Sequence, residues 1–318
     1  MGRRVDYAKL ATEMPNRRSR FLDRLSPLAV VLLMNREDRK VPVAVGRVHR
    51  EIARAVEVIV RSFKNGGRLF FVGAGTSGRL GVMEAAECPP TFSSPPGLVQ
   101  AIVAGGRGAV FRAREGSEDR EAEARRVVRR RVRAGDVIVG IAASGVTPFV
   151  RAALHEGKRR GARTVLVACA AESQPRSAVD ISIVPRVGPE ILTGSTRLKA
   201  GSATKMILNM LTTASMVSLG KVYQNRMVDL QPKSRKLRAR ALGLVQEIGK
   251  VSRPTAERLL QAAGWRAKVA IVMARLGLDP HDALSRLAAA DGSLRRCLET
   301  KPGALRRPLS GSRGRRAR

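Results

Sequence analysis

Between Leu69 and Phe92 the chain joins an apolar run, a glycine-rich turn bearing two hydroxyls and a helix carrying two carboxylates. That combination can hold an anion beside an acid or a base. Leu69 to Val72 is apolar without alternation, as expected of a parallel strand covered on both faces. Gly73, Gly75 and Gly78 permit tight backbone geometry, Thr76 and Ser77 offer hydroxyl donors, and the helix that follows aims its unpaired N–H groups at whatever fills the turn. A phosphate monoester fits this best, although an ordinary strand-to-helix turn shares the pattern. Two better-known phosphate sites do not fit. The dinucleotide fingerprint needs an acidic residue at the end of the next strand, and here Val99 to Val103 runs into Ala104, Gly105 and Gly106. The nucleotide P-loop needs Gly-Lys-Ser/Thr after its glycines, and none follows.

Glu87 precedes Cys88, Pro89 and Pro90, and the double proline is expected to end the helix there. A carboxylate at the negative end of a helix dipole is favoured in its protonated form, as a general acid requires. Glu84, three residues earlier, reads as solvent-facing and as the weaker candidate. Glu115, Ser117, Glu118 and Asp119 precede a charged helix expected from about Ser117 to Arg133, with Ser117 as its N-cap. Carboxylates in a first turn are stabilised by the dipole, which suffices to explain them structurally and also keeps Glu118 ionised, as a general base must be. Ser144, Gly145 and Thr147 repeat the first turn's logic before Pro148, so two hydroxyl-bearing loops on adjacent strand ends are expected to converge on one anion. A third segment, Thr193 to Lys205, brings Ser195, Arg197 and Lys199 to the start of a long helix. Cations there are locally unfavourable and point to an anionic partner. His49, His155 and His281 stand outside these loops in no metal or triad spacing.

The elements that must position these groups alternate. Val43 to Phe63 is amphipathic, with Val48, Ile52, Ala55, Val56, Ile59 and Val60 at helical spacing, after a turn or helix start at Asn35 to Lys40. Strands are expected at Leu69–Val72, Val99–Val103, Val137–Ala142, Thr164–Val167 and Ile181–Val184, with helices between them. This predicts an α/β fold, a doubly wound parallel sheet of about five strands. Leu198 to Leu219 is a long methionine-rich helix suited to core or a subunit interface. A basic helix over 233–250 and short helices over 254–298, starting at Thr255, Asp279 and Asp291, form a small C-terminal all-helical domain. The expected divisions are an N-terminal helical segment over 1–50, the sheet domain over 51–232, the helical domain over 233–300 and a basic disordered tail over 301–318.

At 318 residues and 44% apolar content the chain can bury a large core. It has no long uncharged apolar run and no apolar secretory core at its start, so the expected location is cytoplasmic, without membrane contact. Cys88, Cys169 and Cys297 are too few and too scattered for a disulfide framework or a zinc cluster, and read as small buried hydrophobes. The net charge of +34 would suggest a polyanion partner. Aromatic residues, however, make up only 3%, no zinc-finger spacing or RNA-recognition signature is present, and arginine is spread along the whole chain. Nonspecific adhesion to polyanions at low salt is expected, specific nucleic-acid binding is not.

Together, the runs Gly73 to Gly81, Glu87 to Phe92, Glu115 to Asp119, Ile141 to Pro148 and Thr193 to Lys205 closely resemble the N-acetylmuramic acid 6-phosphate etherases, a family with a sugar-isomerase (SIS) domain related to the animal glucokinase regulatory protein. The resemblance covers most of the chain and fades in the C-terminal helices. It implies cleavage of the D-lactyl ether of a phosphorylated amino sugar by elimination and then water addition, with no metal or organic cofactor, in a homodimer with sites near the interface. Carried over by motif, Glu87 is the proton donor and Glu118 the second acid/base residue. Gly75, Thr76, Ser77, Gly78, Glu115, Ser144, Gly145, Thr147, Ser195 and Lys199 bind phosphate or sugar. The chain departs from the pattern at Glu84 and Ala86, where the family more usually has Asp and Ser, and at Val146, a commonly polar position. A noncatalytic sugar-phosphate sensor and a phosphosugar isomerase share the hydroxyl loops. The sensor need not keep both carboxylates, and the isomerase is not expected to carry the Glu87 to Phe92 run.

Overall fold

The computed structural model describes residues 10–170, 178–230, 232 and 234–300; the basic tail expected over 301–318 lies outside them. Among the described residues three α-helices precede the first strand: α1 (Pro27–Asp38), α2 (Lys40–Gly46) and α3 (His49–Lys64). The turn or helix start expected at Asn35 to Lys40 is the end of α1 and, at Lys40, the start of α2. α1 starts at Ser26, whose hydroxyl accepts Ala29 N, with Pro27 at its first position. Its periodicity was illegible because it has no core face: Glu37 is its one buried residue, while Leu28 and Leu32 stay 69% and 61% exposed. The amphipathic stretch is broken after Gly46, and α3 alone carries its buried stripe of Ile52, Ala55, Val56 and Ile59.

Beyond α3 come β1 (Leu69–Gly73), α4 (Gly75–Phe92), β2 (Val99–Val103), α5 (Gly108–Phe111), α6 (Glu121–Arg131), β3 (Val137–Ile141), α7 (Pro148–Arg159), β4 (Arg163–Val167), β5 (Ile181–Ile183) and α8 (Lys199–Ser218). Every pairing in the sheet is parallel, in the order β2-β1-β3-β4-β5. β1 and β3 are buried at every residue, the physical counterpart of their unalternating apolar runs. Phe70, Val72, Ile138 and Leu166 form one core face with Ala124 and Val128 of α6 and Phe149, Val150 and Leu154 of α7. Gly140 lets α7 lie close, since a Cβ there would meet Val150 and Leu154 at 2.8 Å. The direction of strand addition reverses at β1, so the crevice beyond the carboxyl ends of β1 and β3 is the topological switch point, where such sheets bind ligands.

The chain divides into two compact units: the described residues up to Cys88 with Pro95–Ser215, and Pro89–Ser94 with the described residues from Met216 onward. The second holds a two-residue hairpin pair, β6 (Val222–Tyr223) and β7 (Arg226–Met227), and helices α9 (Arg235–Gly249), α10 (Arg253–Ala262), α11 (Ala267–Leu276), α12 (Pro280–Ala289) and α13 (Leu294–Glu299). Leu244, Val245, Leu260, Ile271, Leu287 and Leu294 are in its core. Asp279 caps α12 as expected, accepting Asp282 N at 2.8 Å. The other two starts shift: α10 begins after Ser252, not at Thr255, and α13 is capped by Ser293, not Asp291. All three cysteines are buried and free. Among the described residues, no helix is long and apolar enough to cross a membrane.

The N-terminal segment is tied to the sheet unit through Glu37, 1% exposed. It accepts Lys199 Nζ at 2.8 Å, Lys40 Nζ at 2.5 Å and Asn16 Nδ2 at 3.1 Å. Burial opposes its ionisation, but hydrogen bonds from Lys199, Lys40 and Asn16 outweigh that and hold the carboxyl at about 2, against an ordinary 4.5. The folded chain thus favours ionised Glu37; the resulting stabilisation is complete above pH 4.5 and is lost as pH falls toward 2. Glu37→Gln is expected to cost on the order of 3 kcal/mol at neutral pH, leaving Lys199 buried without its countercharge. Urea denaturation of both proteins checks this: the gap between them narrows as the pH is lowered toward 2.

Candidate active site

α4 begins two residues after β1 ends, so Gly75, Thr76, Ser77 and Gly78 are not a loop before the helix but its first turn. Gly75 holds φ +51°, which favours glycine. A Cβ on Gly78 would lie 2.7 Å from Gly73 O and 2.8 Å from Val103 Cγ1, so the turn sits directly on the strand end. Thr76 and Ser77 are half-buried there, beside the N–H groups that a first turn leaves unpaired.

Gly75, Thr76 and Ser77, but not Gly78, line a cavity of about 290 Å³ together with Arg79, Arg114, Glu115, Glu118 and Thr196. Its far wall is the segment between β2 and α6. Arg114 Nη1 donates to Gly105 O at 3.0 Å, Ser117 Oγ to Arg114 O at 2.6 Å, and Arg79 Nε to Val110 O at 2.9 Å. Phe149 N donates to Glu118 O at 2.8 Å, anchoring Glu118 to the start of α7. The helix expected from Ser117 starts only at Glu121, and Ser117 spends its hydroxyl on Arg114 O, so it is not a cap. Glu118 therefore sits in a turn, outside a helix's first turn, and shares the cavity with two guanidinium groups. Hydroxyls, free N–H groups and two cations can bind a dianionic phosphate, with a carboxylate alongside to move a proton.

The other candidates lie elsewhere in the unit. Gly145 closes a turn onto Ala142 O at 2.8 Å, and Ser144 Oγ accepts Val146 N at 3.3 Å. With Thr147 they follow β3, which pairs directly with β1, but none of the three lines the cavity. Ser195 is half-buried in the loop before α8, and its neighbour Thr196 reaches the cavity instead. Lys199 is 1% exposed and gives its ammonium to Glu37 and, at 2.7 Å, to Pro189 O. Glu190 accepts the N–H groups of Lys199 and Ala200. For Lys199 the anionic partner is thus the chain's own Glu37, while Glu190 takes the helix-start N–H groups.

The two carboxylates of α4 exchange places relative to expectation. The helix runs through Pro89 and Pro90 to Phe92, so Glu87 is not at its end and the dipole has no special hold on it. The prolines delete the bonds to Ala85 O and Ala86 O, while burial of Cys88 and Phe92 keeps the last turn in place. Glu87 is exposed; Glu84 is 5% exposed and accepts Lys205 Nζ at 2.6 Å and the Thr212 hydroxyl, joining α4 to α8. The helix rise puts Glu87 about 16 Å along the axis from Thr76, beyond reach of the cavity within one chain. Burial, with Glu84 close by, pushes the Cys88 thiol up to about 12, so it is no nucleophile.

Arg79, Arg114 and Thr196 escaped the sequence reading. Arg79 and Thr196 lie in runs that carried the family resemblance and Arg114 directly precedes one, but in so arginine-rich a chain nothing separates a cavity cation from a surface one. His281, read as standing in no metal spacing, does share a 4.8 Å cluster with Asp279 and Asp282. All three are exposed, and the Asp279 carboxylate is engaged in its cap.

Residues 51–158 match the glucokinase regulatory protein N-terminal SIS domain. Over 92% of its length the chain is 46% identical to an N-acetylmuramic acid 6-phosphate etherase from Synechocystis sp., covering 96% of that protein. Over 90% it is 49% identical to another from Trichormus variabilis, covering 94%. A phosphoheptose isomerase structure from Francisella tularensis, 17% identical, aligns with 61% of this chain and 100% of its own at a TM-score of 0.49.

Gly78→Ala discriminates between propensity and packing at the strand end. Alanine inside a helix is intrinsically better than glycine by about 1 kcal/mol, whereas the clash with Gly73 O and Val103 is expected to cost about 1–3 kcal/mol on top of that gain. Net destabilisation in urea denaturation is expected; a stabilised variant contradicts the close approach.

Proposed function

The chain belongs to the N-acetylmuramic acid 6-phosphate etherase family, and on that premise we propose that it converts N-acetylmuramate 6-phosphate to N-acetylglucosamine 6-phosphate and D-lactate. The observation that carries this reading is a single cavity uniting the first turn of α4, with Thr76 and Ser77, and the Glu118 carboxylate. The phosphate sits on the free N–H groups of that turn, held by the two hydroxyls and by Arg79 and Arg114. This places the ring-opened sugar against the wall between β2 and α6. There Glu118 takes the C2 proton, acidified by the C1 aldehyde. The C2–H electron pair forms a C2–C3 double bond as the C3–O bond breaks, and lactate leaves as its alcohol after protonation. Water then adds at C3 and C2 regains a proton. In this reading the enzyme is a carbon–oxygen lyase acting in the cytoplasm on recycled cell-wall amino sugars.

Glu87 is the proton donor in the same reading, and its exposure and its distance from the cavity require a second subunit. In a homodimer, Glu87 of the partner subunit completes each cavity, and the half-exposed Met210 of α8 adds apolar surface to the contact. Ser144, Gly145 and Thr147, at the end of the neighbouring strand β3, take the sugar rather than the phosphate. Ser195 and Lys199 support the loop that presents Thr196.

D-lactate release from N-acetylmuramate 6-phosphate in heavy-oxygen water tests the proposal. Label is expected at C3 of the sugar and none in the lactate, and Glu118→Gln or Glu87→Gln is expected to lower the rate by roughly 10²–10⁴-fold. Dimers re-formed from an equal mixture of the two variants recover about a quarter of the parental rate, because half are mixed and each has one intact site. No recovery contradicts the shared site; no lactate with retained sugar-phosphate binding makes the protein a sensor.

A further inference from the structure

A second cavity, of about 610 Å³, lies in the sheet unit between the N-terminal segment and the loop that leads from β5 to α8. Among the described residues, seven cationic side chains line it against one carboxylate, Glu37. That carboxylate is already consumed at the floor, where Lys199, Lys40 and Arg18 all bond it. Around the floor stand Arg17, Arg39, Arg47 and Arg186. Among the described residues, none of these four guanidinium groups has an ion pair or a side-chain hydrogen bond.

Some exposed arginines elsewhere are matched locally, Arg253 with Glu257, Arg295 with Glu299 and Arg226 with Glu247, and others, Arg240 and Arg258 among them, have no ion pair among the described residues. What sets these four apart is that they converge on one concavity without a partner among the described residues, which costs mutual repulsion unless an anion joins them. The guanidinium fork suits the paired oxygens of phosphate, and several forks suit several phosphates. Among the described residues no aromatic side chain lines the cavity to stack on a base, so the recognition inferred is of charge and not of a nucleobase. We infer that this cavity is an anion site, separate from the catalytic one, for a small multiply phosphorylated molecule. The two cavities share a loop: Arg186 to Pro189 line the basic one and Thr196 lines the other.

The test is calorimetric titration of the full chain with sodium tripolyphosphate at about 0.15 M salt, where long-range attraction between exposed charges is screened. One tripolyphosphate per chain is expected at this site, weakened at least about tenfold by Arg39→Ala with Arg186→Ala, both surface changes that spare the fold. Arg240→Ala with Arg258→Ala, two exposed arginines of the helical unit, is expected to change nothing. Three results overturn the inference: no binding at this salt, binding that the Arg39 and Arg186 changes leave intact, or equal weakening by both pairs.

Discussion

The proposed catalytic site depends on how closely α4 starts against the end of β1. Gly73 O receives Ala104 N at 3.0 Å from one side and faces Gly78 from the other, with no room for a Cβ between them. Because the strand ends and the helix begins within two residues, the helix's unpaired N–H groups and the Thr76 and Ser77 hydroxyls stand at the carboxyl edge of the sheet. The strand order then adds a crevice there, since β2 and β3 leave β1 on opposite sides. Sterics at two glycines and the topology of five strands together shape the cavity proposed to take the phosphate, and Glu118 lines it on the wall between β2 and α6.

Charge is the second constraint. With 60 basic and 26 acidic side chains, the protein cannot pair its cations one to one. It places buried acids where each serves several partners. Asp136, fully buried, accepts Arg68 N, Arg133 N and the Arg68 guanidinium, tying the starts of β1 and β3. Hydrogen bonds from Arg159 and Arg129 lower the Glu156 carboxyl despite its burial. Glu37 and Glu190 each hold more than one donor at the start of α8, although burial pushes the Glu190 carboxyl up. The unmatched arginines are left at the surface and in the second cavity, and long-range repulsion among the exposed ones is screened by salt.

The sheet was legible because its strands are buried on both faces and therefore written as unbroken apolar runs; Val99–Val103 was located to the residue. Glycine marked the strand-end turns for the same steric reason that makes them work. Helix ends were harder. Two prolines after Cys88 look like a stop, but buried Phe92 carries the helix past them, and that change alone reverses the environments assigned to Glu84 and Glu87. Ser117 looks like an N-cap, yet its hydroxyl has a nearer carbonyl to bond. What no local pattern could give was distance: of two catalytic candidates read as one site, Glu118 lines the cavity and Glu87 stands exposed about 16 Å along the axis of α4 from Thr76.

A crystal structure with N-acetylglucosamine 6-phosphate bound tests the central claim most directly. The account predicts the phosphate within hydrogen-bond distance of Thr76, Ser77 and the first N–H groups of α4, with the sugar C2 facing Glu118. A phosphate seated instead on the loop from Ser144 to Thr147, with the first turn of α4 empty, would contradict it.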